Sequence, residues 1–277
     1  MGSGTDMMAL RRSALSSLAD QPPDQPPDQP PDQPPLERRT PFAGWEIVLG
    51  EDLPAPVHPE AVGAELASAI VDLLSRSGDP AGPGAALVSG VPRHFTLEQA
   101  RTYHQALFRA VWEVFRRRTA RGGEESDFRI KVGTISDGAI PIELYGTSWS
   151  FKRFHTDCDA LLFSHLYGPV TGFTGGELQL IDMRPYLRQR SLRFDEVFEW
   201  SDELTDGRKP VLRADHCESA LAECGTTVGA LGPDRIVFVN NLPTAGVLHG
   251  VTPVAMTDPE GFHREYHRCS VKDLRLC

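Results

Sequence analysis

The chain has 277 residues and is 40% hydrophobic, enough to close a sizeable core as one large domain or two small ones. Against 28 Lys and Arg stand 38 Asp and Glu, and the resulting net charge of −10 argues against nucleic acid or an anionic membrane as the main partner. Any anionic small molecule must then be held by local arginines. No apolar run approaches the roughly 20 residues needed to span a bilayer. The cysteines, Cys158, Cys217, Cys224, Cys269 and Cys277, are odd in number and form no Cys-x-x-Cys, and no secretory leader is recognisable, so a reducing cytoplasm is the expected compartment.

In chain order, residues 21–35 repeat Gln-Pro-Pro-Asp, which offers nothing apolar to bury and favours extended polyproline geometry. Residues 1–40 therefore read as a disordered Pro-rich tail, a spacer in the first instance and a docking peptide for a proline-binding partner in the second. A single folded domain is expected over 41–277. It opens with a strand over Phe42 to Leu49, and Val62, Leu66, Ile70, Leu73 and Leu74 then recur at helical spacing between Glu60 and Arg76. After a Gly-rich break at 78–84, Ala85 to Val91 reads as a buried strand and Thr96-Leu97-Glu98-Gln99 as a capping box. The helix it opens buries Leu107, Val111, Val114 and Phe115 and leaves Arg116-Arg117-Arg118 as a solvated end that suits the dipole.

Beyond Asp127 short β-rich runs follow: Phe128–Ile135, Ile140–Tyr145, Ala160–Tyr167, Glu177–Ile181, Arg235–Val239, Val247–Val254 and Tyr266–Val271. Many short strands separated by turn residues imply a sandwich or barrel. A charged stretch at about 184–226, with a helix-like Asp195 to Trp200, reads as an insertion beside the barrel mouth.

Within these runs lie three motifs. In His155-Thr156-Asp157 the outer side chains are two apart and share a face of an extended segment, so both can grip one ion. Gly175-Gly176-Glu177-Leu178 puts a glycine turn before a strand, and Leu248-His249-Gly250-Val251-Thr252-Pro253-Val254 brings a further imidazole. Two imidazoles with one carboxylate form the metal site that leaves coordination positions open for co-substrate and dioxygen.

In this order the motifs resemble the Fe(II)/2-oxoglutarate-dependent dioxygenases, and within them the prolyl-hydroxylase-like branch, over residues 151–270. The resemblance implies an α+β, mainly β fold: a double-stranded β-helix, or jelly roll, with flanking N-terminal helices. It also implies iron held by His155, Asp157 and His249, with Arg268, and Ser270 two residues beyond it, on the distal carboxylate of 2-oxoglutarate. The arginines lie farther past His249 than the branch places its own. Arg264, four residues before Arg268, is similar to the arginine pair of the taurine-dioxygenase-like branch, so Arg264 stands as the second candidate for the co-substrate. Dioxygen completes the cofactor set, with ascorbate as a stimulant, and succinate and CO2 are the implied co-products. A carboxylate at 157 fills the position that related halogenases leave to chloride, which favours hydroxylation over halogenation and leaves open desaturation and ring closure, which use the same ligands.

Glu143, Tyr145, Trp149, Lys152, Arg153, Asp159 and Asn241 are candidate substrate contacts, and their mix of acid, base and aromatic groups suits a free amino acid or amino-acid-like metabolite. His58, His94 and His104 lie far from the motifs, His216, His263 and His267 are in polar contexts, and His165 alternates with Phe163 and Tyr167 as a packed core histidine. Three other readings remain: a peptidyl hydroxylase of the same family, a cupin-type metal enzyme independent of 2-oxoglutarate, and a non-catalytic barrel serving as sensor or scaffold. The residues give no oligomeric state.

Overall fold

The computed structural model describes residues 41–76, 82–119, 124–135, 154–157, 160–201, 209–229 and 232–274. The expected tail, the Ile140–Tyr145 strand, Cys158, and the candidates Glu143, Tyr145, Trp149, Lys152, Arg153 and Asp159 lie outside the described residues.

Strand β1 (Glu46–Val48) is the paired part of the apolar run at 42–49, and it runs parallel to β2 (Ala85–Ser89). Between them, α1 (Ala64–Leu74) is shorter than its periodic stretch: it begins after Gly63, which offers no side-chain cap, and ends where Ser75 turns extended. Helix α2 (Leu97–Arg118) starts where its capping box demands. The Thr96 hydroxyl accepts from the Gln99 amide at 3.2 Å, and the Gln99 side chain accepts from the Thr96 amide at 2.8 Å. Its buried stripe of Tyr103, Leu107, Phe108, Val111, Trp112 and Phe115 packs with Leu66, Ile70, Val71 and Leu74 of α1, while Val114 is half-buried. Of the three closing arginines, Arg116 pairs with Glu113 and Arg118 reaches Asp72 on α1.

The strands that follow are β3 (Phe128–Ile135), β4 (Leu162–Thr171), β5 (Phe173–Thr174) and β6 (Leu178–Asp182). Next come α3 (Met183–Arg190), α4 (Phe194–Val197), β7 (Phe198–Ser201), β8 (Lys209–Leu212), α5 (Ala214–Cys224) and β9 (Gly225–Thr227). The chain closes with β10 (Arg235–Asn240), β11 (Val247–Val251), β12 (Ala255–Met256) and β13 (His263–Asp273). A six-stranded sheet has the order β1-β2-β10-β4-β13-β3 and a smaller one the order β11-β6-β9, with β12-β5 and β7-β8 as two-stranded pairs. No helix among the described residues is long and apolar enough to cross a membrane.

Period-two alternation divides the large sheet. Leu162, Leu166, Ile236, Phe238, Cys269 and Val271 face α1 and α2, whereas Leu87, Phe163, Val237 and Val239 face Leu178, Leu180 and Val247 of the smaller sheet. The outer side of the smaller sheet is covered by α3 and α5 through Ile181, Leu248, Met183, Tyr186, Ala220 and Cys224. The architecture is thus mixed α/β, two facing sheets with helices outside each. The segment at 184–226, expected as an insertion beside a barrel mouth, is tied into the sheets: β9 pairs with β6, and Val211 of β8 bridges His155. Its charged residues mark the outer faces of these elements and conceal the short strands.

Among the apolar residues beneath the large sheet lies a hydrogen-bonded polar chain. His104 Nε2 is 2.5 Å from Ser164 Oγ, and its Nδ1 is 2.8 Å from His267 Nδ1. His104 reads from sequence as far from the motifs and His267 as being in a polar context; the fold buries both, one on α2 and one on β13, beneath the large sheet. Burial, then His267, holds the His104 pKa well below its ordinary value, and burial, then Arg101, lowers that of His267. A folded-state pKa below the unfolded value of about 6.5 means that the unfolded chain takes up the extra protons. Stability is therefore full above about pH 6.5 and falls as pH drops through that value, by roughly 1.4 kcal/mol per pH unit for each imidazole kept neutral. Melting temperatures measured from pH 8 down to about pH 5 should show this decline, and a His104→Gln variant should flatten it; an unchanged slope would remove the assignment.

Candidate metal centre

The site forms where the smaller sheet gains an extra strand residue. His155 and His249 exchange both backbone hydrogen bonds at 3.0 Å, so the two imidazoles leave directly opposed positions, with ring centroids 4.4 Å apart. Phe154 accepts from the Leu212 amide at 2.8 Å, which ties the segment to β8 on its other side. A Cβ at Gly250 would come 3.0 Å from the Phe154 ring, so the glycine after His249 lets the two segments close.

The Gly-Gly turn and the second histidine motif prove to be one structure. Gly175 has φ +82°, and a Cβ there would lie 1.8 Å from the Pro253 carbonyl oxygen, so no other residue fits beside that proline. Gly176 donates to the Thr252 carbonyl at 3.2 Å, and Thr252 donates to the Glu177 carbonyl at 2.9 Å. This clamp sets the register in which His249 faces Leu180.

Asp157 lies beyond regular pairing and is held by Asn241. The Asn241 side-chain oxygen accepts from the Asp157 amide at 3.2 Å, while its amide nitrogen donates to the carbonyls of Asp157 at 2.7 Å and Ala160 at 2.5 Å. Asn241, expected among the substrate contacts, is fully buried and has its side chain committed to the backbone. It positions the loop that carries Asp157, because an amide that satisfies three backbone groups has little left for a ligand.

Donor atoms of His155, Asp157 and His249 all lie within 4.8 Å of one another. Each Nε2 is 3.7 Å from an Asp157 carboxylate oxygen, Oδ1 for His155 and Oδ2 for His249. That is too long for a hydrogen bond yet short enough for one ion at about 2.1 Å from each donor. The chemistry of the set, two nitrogens and one carboxylate, fits an intermediate divalent metal with open positions.

Arg268 enters from β13, where it stands opposite His165 of β4. Its guanidinium contacts the Asp157 carboxylate and lies 5.2 Å over the Phe163 ring, which in turn meets His249 edge-on at 4.8 Å. Ser270 is opposite Phe163 and buried. Arg264 is also buried, but farther along the strand, where it bonds the Tyr167 hydroxyl and lies 5.5 Å from the Tyr266 ring. Of the residues expected to hold metal and co-substrate, the fold thus brings together His155, Asp157, His249, Arg268 and Ser270, and leaves Arg264 beyond them.

One feature was not legible. His165 is buried on the site-facing side of β4, and among the described residues neither ring nitrogen has a hydrogen-bond partner. Burial first, then Arg268 and His249, holds its pKa well below the ordinary value, so it stands as a neutral imidazole. Alternation with Phe163 and Tyr167 placed it on the right face; only the position of β13 shows that the face is the site.

No protein-family model matches the chain, and no curated protein does. Solved structures that resemble it include a bsmA homolog from Methylobium petroleophilum PM1, with a TM-score of 0.36 and 15% identity over 65% of this chain and 54% of that one. The chain therefore spans about half the length of that protein. A taurine dioxygenase from Burkholderia xenovorans gives a TM-score of 0.40 and 15% identity over 78% and 85% of the two chains. The PvcB protein from Pseudomonas aeruginosa gives 0.44 and 12% over 82% and 85%. Likeness at this level leaves function to be argued from the residues of the chain itself.

Loss of the Asn241 brace should loosen the carboxylate without removing it. Mn(II) titration of an Asn241→Ala variant is expected to show metal affinity down by about 10- to 100-fold, the usual cost of losing a residue that orients a ligand. Wild-type affinity in that variant would show that Asp157 is placed by other contacts.

Proposed function

We propose that the protein is an Fe(II)- and 2-oxoglutarate-dependent oxygenase that hydroxylates an unactivated C–H bond of a free amino acid or amino-acid-like metabolite. The observation that carries this reading is the convergence of the donor atoms of half-buried His155 and buried Asp157 and His249 to within 4.8 Å of one another. We read the two facing sheets as a double-stranded β-helix and place the chain in the prolyl-hydroxylase-like branch, because Arg268 and Ser270 share the face that looks on the metal centre. A reducing cytoplasm suits a ferrous centre and is part of the same reading.

His155, Asp157 and His249 would hold the iron, leaving the opposite side open to ligands. Iron bound there would couple dioxygen activation to decarboxylation of 2-oxoglutarate to succinate and CO2. Arg268 supplies the cation for the co-substrate's distal carboxylate: it lies one strand step from the Phe163 that packs on His249, and guanidinium pairs with carboxylate in bidentate fashion. Arg264, held against Tyr167 and Tyr266, is left as the candidate for an anionic group of the substrate. Phe163, Val237 and Val239 keep water from the inner wall, so charge interactions within it are strong.

Purified protein supplied with Fe(II), 2-oxoglutarate, dioxygen and ascorbate, and screened against the amino acids and their common derivatives, should form succinate in step with a product heavier by one oxygen. His155→Ala and Asp157→Ala should reduce both to background, and Arg268→Met should raise the 2-oxoglutarate concentration required. Succinate formation that survives Asp157→Ala would overturn the reading.

A further inference from the structure

The inner face of the large sheet carries a row of side chains on two paired strands. On β4 these are Phe163, His165 and Tyr167, and on β13 they are Ser270, Arg268 and Tyr266, each directly opposite its β4 counterpart. His165 sits in the middle of this row, with its ring 5.0 Å from Phe163, 5.0 Å from Tyr266 and 6.1 Å from Tyr167. Below it on β10 is Val237, fully buried. The surroundings are thus aromatic and aliphatic except at one point, where the guanidinium-bearing strand faces it.

An imidazole in such a place has two polar atoms to satisfy, and among the described residues neither has a partner. On the other face, His104 of α2 bonds Ser164 of β4 through Nε2 and His267 of β13 through Nδ1. Where the sheet meets the helices, buried imidazoles therefore find partners within the protein. Leaving a buried donor or acceptor unmade is costly, and a Phe or Leu would pack in the same space without that cost. The residue type makes sense if a ligand completes its hydrogen bonding.

Resting on the oxygenase reading above, we propose that His165 is a co-substrate-positioning residue, donating a ring N–H to an oxygen of the same distal carboxylate that Arg268 pairs with. Three observations point to a carboxylate. The arginine opposite His165 supplies the charge, the row lies one strand step from the ring that packs on His249, and a neutral N–H adds direction to the grip without a second positive charge. Arg268 and His165 then approach the carboxylate from neighbouring strands, and the aromatic rings on either side bound the length of the acid that fits. A 2-oxo acid without the second carboxylate would gain nothing from His165.

The test compares 2-oxoglutarate with 2-oxobutyrate, each titrated calorimetrically into Mn(II)-loaded protein, so that turnover plays no part. In His165→Phe the affinity for 2-oxoglutarate should fall by about 10- to 100-fold, the range for one hydrogen bond to a charged group, while that for 2-oxobutyrate stays unchanged. His165→Gln, which keeps an N–H donor, should recover part of the loss. Without ligand, His165→Phe should melt no lower than wild type, since an unsatisfied polar group has been removed; a histidine kept for packing would instead give a lower melting temperature and unchanged affinity, which would overturn the proposal. Wild-type protein that binds 2-oxoglutarate no better than 2-oxobutyrate would sink both this assignment and the co-substrate reading. Equal 2-oxoglutarate affinity in wild type and His165→Phe would sink this assignment alone. Should His165→Phe fail to fold, ring-nitrogen resonances of histidine-labelled, Zn(II)-loaded wild type decide, and no His165 shift on adding 2-oxoglutarate is the contrary result.

Discussion

The Asp157 carboxylate is the point on which the site depends, and its placement is a problem of burial. Its side chain is only 3% exposed, and a carboxylate so far from water is retained as an anion only if cations or donors surround it. The fold surrounds it with the imidazoles of His155 and His249 and the guanidinium of Arg268, drawn from three separate strand positions. On the proposed reading a metal ion and Arg268 would both be cations directed at this one acid. Asn241 keeps the acid from drifting by fixing the backbone on both sides of it.

The two sheets divide the work. The smaller sheet carries His249, and its register is fixed by the clamp of Gly175 on Pro253 and by the reciprocal bonds with His155. The large sheet carries the row of Phe163, His165, Tyr167, Ser270, Arg268 and Tyr266 on β4 and β13, each paired on both edges. Doubly paired strands between layers of core move little, which makes them suitable bearers of groups that must hold a ligand at fixed distance. The helices α1 and α2 back this sheet on its far side and bury its outer face.

How far the sequence foretold this varies with the physics of each part. The capping box at Thr96 and the stripe through Leu107, Val111 and Phe115 were legible because they are local, as was the His-x-Asp pair with its distant His249. Gly175 and Pro253 were visible as motifs but not as contacts, since the clamp joins residues 78 positions apart. The short strands within 184–226 were hidden by charge, because β8 and β9 are only 4 and 3 residues long and periodicity needs more turns than that to declare itself. The backbone bonds of Asn241 were hidden for a different reason: a polar residue beside a site looks the same in sequence whether it faces ligand or backbone, and the three bonds it makes join residues more than 80 positions apart.

Histidines make the same point more sharply, and they carry the argument for the site's chemistry. Ser164 and His165 are neighbours on β4 and therefore look to opposite faces. Toward the helices, Ser164 begins a chain of hydrogen bonds through His104 to His267, and the burial of two imidazoles is compensated within the protein. Toward the smaller sheet, His165 has no such chain among the described residues, and Phe163, Tyr167 and Tyr266 meet it with their rings. If burial alone governed both faces, they should be equally well satisfied. The asymmetry follows the two faces: one meets the closed core against α1 and α2, the other the side on which Arg268 contacts Asp157, and on the reading proposed above it is the co-substrate that completes the inner imidazole.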